Sequence, residues 1–193
     1  MLTLHIIAIA LRALFVSGAD APAAVNELPE ECRPFAVTPS DVRDDTFGWN
    51  QLLSLASCIQ DNTVMQVTDE AEVELMVDRY RASLYIPLLI YVGVLENAPG
   101  PMQLHAAYHV GMAYLTMAVR ARRSVASPAL RAKLEPLLQP SLRLAAATFA
   151  VIDRVADEDP GLVTDEVARN EVRSARALLR LLPRPFAADR VAR

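Results

Sequence analysis

The chain has 193 residues, 53% of them hydrophobic, and a formal net charge of −4 from 19 basic and 23 acidic residues. That is enough chain to bury a core, and the mildly acidic balance gives no reason to expect nucleic acid as a partner. Lys133 is the one lysine among the basic residues, a usage that, with the abundant Ala, Val and Pro, points to a GC-rich bacterial genome.

Met1 to Ala19 reads as a signal peptide. The apolar run Leu4 to Val16 has the length of a secretory h-region and falls short of the roughly 20 residues a bilayer span needs. Ser17-Gly18-Ala19 supplies small residues for cleavage, leaving Asp20 as the mature N-terminus and a formal charge of −5 once Arg12 is lost. Residues 20–40 carry Pro22, Pro29, Pro34 and Pro39 and are expected to form an extended leader. After the signal no apolar run is long enough for a transmembrane span.

From residue 41 to 183 apolar residues recur at helical spacing, and period-2 alternation is absent. A first helix is expected over about 46–60, with Leu52, Leu55, Ala56 and Ile59 on one stripe and Trp49 as its anchor. Thr68-Asp69-Glu70-Ala71 opens a second, with Thr68 as its N-cap, running to Asn97 with a bend at Pro87. Ala98-Pro99-Gly100-Pro101 breaks the chain, and a third helix runs from Pro101 to about Val125. Ser127-Pro128 starts a fourth that reaches about Ala156, with interruptions near Pro136 and Pro140. Thr164-Asp165-Glu166 caps a fifth that ends at Leu182, before a flexible tail of residues 184–193. Helices joined by short Pro/Gly breaks pack as antiparallel neighbours. The expected fold is therefore a single all-α domain of about five helices, in an antiparallel bundle or helical-hairpin array.

Cys32 and Cys58 are the only cysteines. An even count in an exported chain reads as one structural disulfide, because twenty-five intervening residues do not suit a redox or metal pair. It would tie the leader to the first helix and places the protein in the periplasm or outside the cell.

His105 and His109 stand at i, i+4 on one helix face, the spacing that metal ligation requires. A zinc-protease helix would carry Glu where Ala106 stands. In a simple hairpin the second helix would bring Gly93 and Leu89 opposite the pair, and neither can ligate. The expected reading is two histidines on a solvent edge, with no metal and no cofactor. The alternative is a metal-binding or enzymatic bundle that borrows a carboxylate such as Asp78 or Asp153 from another helix.

No acid occurs between Glu96 and Glu135, so Arg120, Arg122, Arg123, Arg131 and Lys133 form a basic corner and a candidate interaction patch. There is no G-x-S-x-G, no phosphate-cradling glycine loop and no H-E-x-x-H, so no catalytic residue is assigned. Tyr80, Tyr85, Tyr91, Tyr108 and Tyr114, at helical spacing, fit the core and interhelical hydrogen bonding better than a ligand box.

Tyr108-His109-Val110-Gly111-Met112-Ala113-Tyr114 resembles the first helix of a tetratricopeptide repeat, in which a small residue packs on a neighbouring helix and a tyrosine follows three residues later. The likeness covers under a tenth of the chain, and no 34-residue period accompanies it. It implies helical-hairpin packing and protein binding. The sequence thus leads to an exported, non-enzymatic helical domain with a protein partner, acting in interaction or envelope structure.

Overall fold

The computed structural model describes residues 30–35, 46–62, 72–125 and 127–182 of the chain. The signal peptide, the proposed Thr68 cap and the tail 184–193 lie outside them. The described residues are all-α, with no strand. Six helices follow a 3-10 helix at Glu30–Phe35: α1 Thr46–Asp61, α2 Glu72–Ser83, α3 Tyr85–Asn97, α4 Gly100–Ser124, α5 Pro128–Glu158 and α6 Glu166–Leu179. Of the leader, Glu30–Phe35 winds into that 3-10 helix rather than running extended.

Prolines mark where the helices depart from expectation. The long second helix divides at Leu84 instead of bending at Pro87, giving α2 and α3. Proline lacks an N–H and is tolerated in a first turn, where no intrahelical donor is needed. Restarting the helix at Tyr85 puts Pro87 in that first turn, with its ring buried. Pro136 and Pro140 do the opposite: α5 runs through both without a break. They lie one turn apart, and both are exposed, as is Ala132. The carbonyls they leave unpaired, those of Ala132 and Pro136, are thus at the solvent side of the helix. Arg81 of α2 also donates to the adjacent Leu137 carbonyl at 2.8 Å.

α4 is the central helix and touches all five others. Its buried positions are mostly small: Ala106, Ala107, Gly111, Ala113, Ala118 and Ala121, which lets neighbouring backbones approach. Ala145, Ala146 and Phe149 of α5 are fully buried. The α3–α4 connection is closed by buried Gln103, whose Nε2 donates to the Leu95 carbonyl at 3.0 Å. Asp165 caps α6 by accepting from the Ala168 N–H at 2.8 Å. Cys32 and Cys58 lie at disulfide distance, Cα atoms 5.6 Å apart, and Cys32 is fully buried. Among the described residues no helix is long and apolar enough to cross a membrane.

Candidate metal centre

α4 presents His105 and His109 one turn apart, with ring centroids 4.5 Å apart and edge to face. What meets them is not what a simple hairpin predicts. A Cβ at Gly93 of α3 would meet nothing within 4 Å, so His105 does not pack on it. Glu171 reaches in from α6, and its Oε1 contacts His105 Nδ1. Tyr91 of α3 stacks on His109 at 5.6 Å with 25° between the planes. Ser57 of α1 places its Oγ 3.4 Å from His109 Nδ1. Both histidines are half-buried rather than on an open edge.

Glu171 is the residue the sequence reading missed. It is only 7% exposed. The core-facing positions of α6 are Ala168, Glu171, Val172 and Ala175, an i, i+3, i+4, i+7 stripe with an acid on it. A carboxylate on an apolar stripe is the signal that was available. Asp78 and Asp153, the acids weighed as ligands, are paired elsewhere, with Arg81 at 3.3 Å and Arg176 at 2.5 Å.

The electrostatics of the cluster are unbalanced. Glu171 Oε1 has His105, but Oε2 is buried with no hydrogen-bond partner. Burying a carboxylate oxygen without a donor or cation costs free energy that the fold must find elsewhere. Burial, helped by neighbouring His105, lowers the His109 pKa to about 4, so its imidazole is neutral at neutral pH and carries a free lone pair. Burial also raises the Tyr91 pKa to about 12, which keeps its phenol protonated.

His105, His109 and Glu171 each offer one ligand atom, all within 4.8 Å of one another. Two imidazole nitrogens and one carboxylate oxygen suit a borderline divalent ion such as Zn2+ better than Mg2+ or Ca2+, which take oxygen ligands. Three protein ligands leave a position for water or an exogenous ligand, as in catalytic or exchanging sites. Ala106 beside them supplies no general base.

The basic corner has partners inside the fold. Arg120 donates to the Gln60 carbonyl at 2.6 Å and to Asp61 at 2.8 Å. Arg122 makes a two-pronged contact with Glu135 at 2.7 and 2.8 Å. Arg131 donates to the Val125 carbonyl at 3.2 Å. Comparison with known protein families, curated proteins and solved structures finds nothing that matches this chain.

Proposed function

We propose that this protein is an extracytoplasmic metal-binding helical domain that holds a zinc-class divalent ion on His105, His109 and Glu171. The observation that carries the reading is the buried Glu171 carboxylate, with one oxygen unpartnered, beside two histidines at ligand spacing. A cation there would satisfy that oxygen and use the lone pair of neutral His109. Ala106, standing where a zinc-protease helix carries its glutamate base, favours ion binding and exchange over hydrolysis. Export to the periplasm or the medium is supported by the Met1 to Ala19 segment and by the cysteine pair, which persists in oxidising compartments. An interaction scaffold acting through the basic corner has less to support it, since Arg120, Arg122 and Arg131 already serve acceptors of the fold.

The untagged chain, stripped of metal, is expected to take up stoichiometric Zn2+ in a calorimetric titration. Saturation at a hundredfold excess over Kd would raise stability by about 2.7 kcal/mol. His105→Ala with His109→Ala, or Glu171→Gln alone, should weaken binding by roughly 100-fold or more, since a lost ligand exceeds the 10–100-fold cost of losing the group that orients one. Wild-type protein that takes up no zinc at micromolar concentration would refute the reading.

A further inference from the structure

Resting on the metal-site reading above, we propose that Ser57 is a positioning residue of the site: its hydroxyl, held by Tyr91, fixes His109 with the proton on Nδ1 so that Nε2 faces the cation. Imidazole has two nitrogens, and the hydrogen bond made by one decides which of them is free to ligate. His109 Nδ1 lies 3.4 Å from Ser57 Oγ, and the same Oγ lies 3.2 Å from the Tyr91 hydroxyl. A serine hydroxyl has two acceptor lone pairs. It can therefore accept the Nδ1–H of His109 while it shares a hydrogen bond with the Tyr91 hydroxyl, a bond in which either oxygen can donate.

The ring has little freedom to turn away. Tyr91, fully buried, covers one face. His105 and Tyr108 stand edge-on to it, with centroids 4.5 and 6.0 Å away. Ser57 sits on α1, fifty-two residues from His109 in sequence, so the contact exists only because α1 packs here. Buried Leu53 and Ala56 hold that helix in the core, and Cys58, next to Ser57, joins it to Cys32. Metal-ligating histidines almost always donate their other N–H to a fixed acceptor, and removing that acceptor typically weakens metal affinity 10–100-fold.

The test compares Zn2+ affinity of the untagged wild-type chain with Ser57→Ala and Ser57→Thr. Imidazole 15N shifts of the zinc-loaded proteins are recorded alongside. The expected result is a 10–100-fold loss in Ser57→Ala, recovery in Ser57→Thr, which keeps the hydroxyl, and shifts placing the His109 proton on Nδ1 in wild type. The metal-free melting temperature of Ser57→Ala should stay close to wild type, which separates orientation from folding. Wild-type binding that Ser57→Ala leaves unchanged overturns the role of Ser57 and leaves the metal site standing. A zinc-loaded wild type with its His109 proton on Nε2 overturns it equally. No zinc uptake by wild type removes both this inference and the reading on which it rests.

Discussion

Gly111→Leu is expected to destabilise the protein by about 1–3 kcal/mol, the usual cost of overpacking a tight core. Gly111 lies mid-way along α4, where glycine ordinarily costs about 1 kcal/mol relative to alanine. Its retention is explained by Phe149 of α5. A Cβ at Gly111 would stand 2.6 Å from Phe149 Cε1 and 2.9 Å from Cζ, closer than real carbon contacts allow. The phenylalanine is fully buried and packs against Tyr108 at a centroid distance of 5.9 Å, so it cannot swing aside freely. Even Gly111→Ala should therefore fail to yield the normal helix-propensity gain. Gly93 in α3 is the control: a Cβ there meets nothing within 4 Å. Gly93→Ala should raise stability by roughly 0.5–1 kcal/mol. Urea melts of the three variants decide the matter. A Gly111→Leu midpoint equal to wild type would show that the α4–α5 contact is not tight.

The all-α fold was legible because its signals are local. Apolar residues at helical spacing, the Pro99–Pro101 break and the Ser127-Pro128 start each act over one or two turns. The effect of the internal prolines is not legible locally, because it depends on which face they occupy. Pro136 and Pro140 are harmless on a solvent face, whereas Pro87, placed inside, required a new helix start at Tyr85. The site was half legible. Spacing alone puts His105 and His109 together. Hairpin register puts only Gly93 and Leu89 of the preceding helix opposite them, and the carboxylates considered from other helices are Asp78 and Asp153, but the third partner comes from α6, sixty-six residues beyond His105. Hairpin register cannot reach across a bundle in that way. An acid on the apolar stripe of α6 was visible, though its target was not. Ser57 left no sequence signal, because it reads as one more polar residue of α1 until the packing of α1 brings it to His109.

Reduction of the Cys32–Cys58 pair, or a Cys32→Ser, Cys58→Ser double variant, is expected to lower stability, with about 3.5 kcal/mol, the full chain-entropy value of loop closure, as the upper bound. The magnitude follows from the sequence separation of 26, which sets the entropy the unfolded chain regains when the link is cut. The location of the damage follows from burial. Within Glu30–Phe35 only Cys32 is buried, so little besides the bridge holds that segment to α1. By contrast α1 keeps Leu53, Leu55 and Ala56 in place through burial. The reduced protein should therefore remain helical by circular dichroism while amides of residues 30–35 lose protection from hydrogen exchange. Detachment of that segment in the folded state returns entropy to the folded chain as well, which pulls the measured loss below the full loop-closure value. A urea midpoint unmoved by reduction, with residues 30–35 still protected, would mean that packing rather than the bridge holds the leader in place.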